Sequence, residues 1–141
     1  MQNIKHFIVD FDSTFTQVEA LDILGEIALD GHPDKSTALK RIKEVTDLGM
    51  EGKLSFRESL VERIEILHAH NDHIPKLVAA LKEKISISFL RNKEFIKKHA
   101  DQFYILSNGF KEFIIPVVAE YGIKPENVFA NEFEFDDAGN I

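Results

Sequence analysis

The spacing of apolar residues changes several times along the chain, and each change marks an element. Phe7, Ile8 and Val9 form a short β-rich run that reads, with His6, as a buried strand. From Val18 the spacing turns helical. Val18, Leu21, Ile23, Leu24, Ile27 and Ala28 predict a helix to about Leu29, with Gly31 and Pro33 closing it. Ala38, Ile42, Val45 and Leu48 recur at steps of four, three and three and predict a second helix ending near Gly49. Ser55-Phe56-Arg57-Glu58 is a capping box that opens a third helix, whose face holds Phe56, Leu60, Ile64 and Leu67. Asn71 or Asp72 is placed to cap a fourth, with Pro75 tolerated in its first turn and Leu77, Val78, Ala80 and Leu81 along it.

Beyond the fourth helix the pattern alternates. Phe89 to Ala100 reads as a helix, Phe103 to Leu106 as a buried strand, Phe110 to Tyr121 as a helix ended by Gly122, and Asn127 to Ala130 as a third strand. Strand–helix–strand alternation of this kind means a parallel sheet with right-handed crossovers. Phe133-Glu134-Phe135 alternates as an antiparallel arm would, and residues 136–140 are turn material. The four helices that separate the first two strands are too many for a simple crossover. The expected architecture is therefore an α/β core, residues 1–16 and 85–141, with a helical cap inserted at residues 17–84. The unpaired edge beside the first strand would invite association into a homodimer.

Composition narrows this picture. The 141 residues suffice for one core plus a small lobe, and 44% apolar content indicates a globular chain. The absence of cysteine excludes disulfides, thiolate metal sites and a cysteine nucleophile, and fits a cytoplasmic location. No run approaches membrane-spanning length. The net charge of -7 argues against nucleic acid as a partner. It also repels phosphate at long range, so an anionic substrate would need a metal, an arginine and helix amino termini close by.

The first strand ends in Asp10 and Asp12. Residues two apart in extended chain point the same way, so the two carboxylates should sit together at the strand's carboxyl end, where open parallel sheets place ligands. An EF-hand reading fails, because the positions needing Gly and Glu are Phe15 and Leu21. Two readings remain. One is a strand end with ordinary polar turn residues. The other is an Asp-x-Asp-x-Thr phosphoryl-transfer site, in which Asp10 attacks phosphorus and Asp12 protonates the leaving oxygen and then activates water. Mg²⁺ would let a carboxylate approach a phosphate dianion.

Ser107-Asn108-Gly109 follows the second core strand and is expected to open a helix. A hydroxyl and backbone N–H groups at a helix amino terminus form an anion site, with Gly109 supplying backbone freedom; an ordinary helix cap is the competing reading. Phe56 and Arg63 lie two turns apart on one helical stripe, about 10 Å along the axis. They suit a ligand with an alkyl body and a carboxylate, or else Phe56 is core and Arg63 a surface partner of Glu62 or Glu65. His68, His70 and His73 are poorly spaced for one metal. Asp136-Asp137 reads as a turn.

The run Asp10-Phe11-Asp12-Ser13-Thr14 after an apolar strand resembles the first motif of the haloacid dehalogenase (HAD) superfamily, and more narrowly that of the phosphoserine phosphatases. Glu19, Met50 to Leu54 with Phe56 and Arg63, Ser107 to Phe110, and Val128 to Asn131 match in order and spacing across nearly the whole chain. The resemblance implies a HAD-like Rossmannoid core with a helical cap. It implies Mg²⁺-dependent hydrolysis of a small phosphorylated metabolite, O-phosphoserine first, in serine biosynthesis. It assigns Asp10 as nucleophile, Asp12 as acid and base, and both as metal ligands. It sets Ser107, Asn108 and Gly109 on the phosphoryl group, Arg63 on the substrate carboxylate, Glu19 on its amino group, and Met50 and Phe56 in the closing cap. Asn108 stands where these phosphatases usually carry glycine. The family's third-motif lysine and fourth-motif acidic segment have no match, so the chain reads as the amino-terminal part of a longer protein. A non-catalytic domain that binds a phosphorylated amino acid, joined to a phosphoglycerate dehydrogenase, is the alternative.

Overall fold

The computed structural model describes residues 5–141. In chain order its elements are β1 (Phe7–Val9), α1 (Ala20–Ala28), α2 (Lys35–Met50), α3 (Phe56–Leu67), α4 (His73–Lys82), α5 (Ile87–Arg91), α6 (Lys93–Lys98), β2 (Phe103–Phe110), α7 (Lys111–Ala119) and β3 (Val128–Asn131). The chain divides into two compact units, Met1–Leu21 with Ile74–Phe133 and Asp22–His73 with Glu134–Ile141.

The first unit is an α/β layer. Its three strands are parallel in the order β1-β2-β3, with Phe7 opposite Phe103 and Ile105 opposite Val128, and β1 lies at an edge. Phe103, Ile105 and Val128 are buried on one face, where α7 packs against β2 and β3. The alternate positions point the other way. Ile8 is 71% exposed and Leu106 59%, so the expectation of fully buried strands does not hold. Parallel sheets ordinarily bury both faces. Here His6, Ile8, Tyr104, Leu106 and Phe129 line an open groove of about 510 Å³ on the second face.

Two passages of chain run side by side below the sheet's first loop. Thr16 bridges Ile85 in antiparallel sense, the Gln17 N–H donates to the Lys84 carbonyl at 2.7 Å, and the Ser86 N–H donates to the Phe15 carbonyl at 2.9 Å. The single helix expected over 89–100 is two, α5 and α6, meeting at Asn92. The Asn92 side-chain amide donates to the Ser88 carbonyl at 2.8 Å and shares that acceptor with its own backbone N–H. A side chain that competes for the helical acceptor favours a break.

In the second unit α2 packs against α3. Gly49 allows the approach, since a Cβ there would lie 2.8 Å from Ser59 Oγ. Buried Ser59 donates its hydroxyl to the Val45 carbonyl at 3.1 Å. The capping box forms as the sequence predicts: Ser55 Oγ accepts the Glu58 N–H at 3.2 Å, and Glu58 accepts the Ser55 N–H at 2.8 Å.

Residues 133–135 form no strand. Instead Phe133 stacks on Phe110 at 3.8 Å between ring centroids, and its N–H donates to Glu112. The expected turn at 136–140 is present. The Asp136 carboxylate accepts the Ala138 and Asn140 N–H groups at 2.9 and 2.8 Å, and the Asn140 side chain foremost holds its pKa below the usual carboxylate range. The turn is tied back by the Asn71 N–H on the Gly139 carbonyl, at 2.8 Å. Among the described residues no helix is long and apolar enough to cross a membrane.

Candidate functional site

The loop after β1 is shaped by its own polar groups. Asp10 is extended, at φ -73° and ψ 159°, and its Oδ1 accepts the Phe11 N–H at 2.7 Å. Asp12 is also extended, at φ -63° and ψ 132°, before the chain turns sharply at Ser13. Ser13 holds φ 55°, a left-handed conformation that costs a non-glycine residue energy and recurs at functional sites. The turn is tied by the Ser13 N–H on the Val18 carbonyl at 3.1 Å and by the Ser13 hydroxyl, which donates to Glu19 at 2.6 Å. Phe11 and Phe15 are fully buried and anchor both ends.

Asp12 works in two directions. Its Oδ1 accepts the N–H of Ala20, the first residue of α1, at 2.7 Å, a favourable place for a carboxylate at a helix amino end. Its Oδ2 lies 3.1 Å from the point a Cβ on Gly109 would occupy. Ser107 Oγ lies 3.1 Å from the same point. A carboxylate oxygen and a hydroxyl thus both close on Gly109, at the carboxyl ends of two adjacent parallel strands.

The Ser107-Asn108-Gly109 backbone differs from expectation. All three residues lie within β2, in a stretch where the pairing with β3 is irregular between Leu106 and Phe110, and α7 starts at Lys111. Gly109 is not left-handed either. Its role is close approach, because any side chain would fill the space between Asp12 and Ser107. The Gly109 N–H donates to Ser107 Oγ at 2.9 Å.

Asn131, at the end of β3, also belongs to this edge. Its side-chain amide donates to the Asn108 carbonyl at 2.9 Å. The next residue, Glu132, pairs with Lys111 at 2.7 Å, which pushes its pKa below the usual carboxylate range. No role for Asn131 or this ion pair is evident from spacing. The available signal is a polar pair closing an apolar strand, at the end where ligands sit.

Met50, Phe56 and Arg63 lie in the second unit. Met50 ends α2 and is 84% exposed; Phe56 opens α3 and is half-exposed. Arg63 is half-buried, and its Nε donates to the Ser59 carbonyl one turn back at 3.3 Å. Glu62 pairs with Arg41. The His70 ring is engaged locally: Nδ1 accepts the Asp72 N–H at 3.0 Å, and Nε2 lies 2.7 Å from the Ala138 carbonyl.

Known proteins resemble this chain in sequence and fold. A phosphoserine phosphatase of Streptococcus thermophilus is 34% identical over 142 residues, covering 97% of this chain and 59% of the relative. The crystal structure of a phosphoserine phosphohydrolase-like protein from Francisella tularensis matches with a TM-score of 0.78 at 31% identity, over 96% of this chain and 62% of that one. Over nearly its whole length the chain is similar to phosphoserine phosphatases, and its fold is that of the haloacid dehalogenase superfamily. A phosphoserine phosphatase solved as an analogue of its phospho-aspartyl intermediate shares the fold, with a TM-score of 0.74 at 23% identity, over 99% of this chain and 61% of that one. No family model matches the chain. The chain spans about half the length of the curated relatives it matches, 45% of a Drosophila melanogaster phosphoserine phosphatase among them.

Proposed function

We propose that these residues serve a Mg²⁺-dependent phosphomonoester hydrolase acting on O-phosphoserine through an aspartyl phosphate on Asp10. The observation that carries the reading is the close approach of Asp12 Oδ2 and Ser107 Oγ to Gly109, each 3.1 Å from where a Cβ would stand, at the carboxyl ends of β1 and β2. A phosphoryl group at this strand end would meet the Ser107 hydroxyl and lie beside the acid that completes the reaction.

In the first step an Asp10 carboxylate oxygen forms a bond to phosphorus while the bond to the serine oxygen breaks, and Asp12 gives that oxygen a proton. In the second, water attacks phosphorus, Asp12 takes its proton, and the Asp10–phosphorus bond breaks to release phosphate. The bond from the Ala20 N–H fixes one Asp12 oxygen and orients the other. Asp10 and Asp12 are hard oxygen donors, the type that Mg²⁺ takes one or two of, with water and substrate phosphate completing its shell. Bound there, the ion would supply the positive charge that lets a carboxylate approach a phosphate. Glu19, held by the Ser13 hydroxyl, is assigned to the substrate amino group. Arg63 is assigned to its carboxylate, and Met50 and Phe56 to its apolar body.

The test is phosphate release from O-phosphoserine by the full-length protein and by its Asp10→Asn variant. The expected outcome is Mg²⁺-dependent release that the substitution abolishes with the melting temperature unchanged. Turnover that survives Asp10→Asn would refute the assignment, and phosphoserine binding without any turnover would favour a regulatory phospho-amino-acid domain instead.

A further inference from the structure

Asn108-Gly109 is the single Asn-Gly pair in the chain. In such a pair the backbone nitrogen of the glycine can reach the asparagine side-chain amide, because no Cβ obstructs it. Asn108 is exposed at the sheet's carboxyl edge. The peptide unit joining it to Gly109 is held at both ends. The Gly109 N–H donates to Ser107 Oγ at 2.9 Å, and the Asn108 carbonyl accepts the Asn131 side-chain amide at 2.9 Å.

We propose that Asn108 is a site of spontaneous deamidation whose rate is set by the Ser107 hydroxyl. The Gly109 nitrogen loses its proton and forms a bond to Asn108 Cγ. The bond from Cγ to the side-chain nitrogen breaks, and ammonia leaves with a proton returned by solvent. Water then opens the resulting succinimide at either carbonyl, giving aspartate or isoaspartate. Water is the only co-reactant. An N–H engaged with Ser107 Oγ gives up its proton less readily and is held in place, so the hydroxyl slows the first step. The product adds a negative charge next to Gly109, which Asp12 Oδ2 closely approaches. Isoaspartate also inserts a methylene into backbone that is already crowded. None of these steps uses the proposed hydrolase chemistry, so the two readings stand or fall separately.

The test is incubation of the purified protein at neutral pH, with aspartate and isoaspartate at position 108 quantified by peptide mass spectrometry. Ser107→Ala should convert about fivefold faster than wild type, the rate equivalent of one hydrogen bond. Ser107→Thr keeps the hydroxyl and should match wild type. Asp30-Gly31, which can form the same ring and is exposed in the other unit, serves as an internal clock and should not change. A Ser107→Ala rate equal to wild type would overturn the proposal. So would a rise matched at Asp30-Gly31, which would indicate general loosening, or wild-type conversion at Asp30-Gly31 with none at Asn108.

Discussion

Adding one methyl group at Gly109 tests the candidate site more directly than removing any side chain. In Gly109→Ala the new Cβ would meet Asp12 Oδ2 and Ser107 Oγ at 3.1 Å and Phe113 Cζ at 3.2 Å, all inside ordinary contact distance. The backbone itself is no obstacle, since Gly109 is not left-handed. The neighbours must retreat by a few tenths of an ångström, and both oxygens are tethered, Asp12 by the Ala20 N–H and Ser107 by the Gly109 N–H. Crowding of this kind costs about 1–3 kcal/mol. The stiffer unfolded chain returns about 0.4–1 kcal/mol. A net loss of about 1 kcal/mol lowers the melting temperature by about 4 °C. Turnover should fall much further, about 10²-fold, the usual cost of losing one stabilising contact to developing negative charge. The control is Gly25→Ala, whose Cβ would meet Leu39 and Leu67 methyl groups at 3.1 and 3.2 Å. Crowding there is comparable, but it falls on movable side-chain ends within a helix that favours alanine by about 1 kcal/mol. The assays are thermal melting and phosphate release from O-phosphoserine. Unchanged turnover in Gly109→Ala, or an equal loss in Gly25→Ala, would refute the idea that the close approach of Asp12 and Ser107 to Gly109 positions them for the phosphoryl group.

Arg63→Ala should weaken binding of O-phosphoserine by about 1.5–3 kcal/mol, the value of a charge-assisted hydrogen bond, and spare a phosphate ester that lacks a carboxylate; equal losses measured by titration would make Arg63 structural. Glu58 gives a pH signature. The Ser55 hydroxyl, and then its backbone N–H, hold the Glu58 pKa below the usual carboxylate range. A lowered carboxyl stabilises the folded state fully above its unfolded value and loses that contribution as pH falls through the folded one. The melting-temperature gap between wild type and Glu58→Gln should therefore close on acidification, and a constant gap would contradict the cap's role.

Local signals in the sequence carried far. The capping box at Ser55, the helical steps of α2 and the aspartate-terminated strand each arise within a few residues, where spacing and side-chain chemistry suffice. Features that depend on distant partners were not legible. Ile8 and Leu106 are as apolar as Ile105, and only the side on which α7 packs decides which is covered. Asn92 breaks a helix by a bond that leaves the apolar period intact. Phe133 looked like part of an alternating arm, but its ring stacks on Phe110 and its N–H goes to Glu112. Gly109 needs no unusual backbone angle; its missing side chain lets Asp12 and Ser107 approach, which spacing alone does not reveal.

The parallel pairing of β1 with β2 also dictates when the protein can fold. Phe7 and its partner Phe103 stand roughly 95 residues apart in the chain. Closing a loop of that length costs about 4 kcal/mol of chain entropy before any strand contact is gained. The α2–α3 hairpin closes over a much shorter span and can form early, whereas the sheet must wait. During synthesis β1 leaves the ribosome before β2, which follows only after the six intervening helices α1 to α6. The strand that carries Asp10 thus spends the longest time unpartnered. Folding of the first unit should be slow for a chain of this size, limited by the encounter of two strands and not by the formation of any helix.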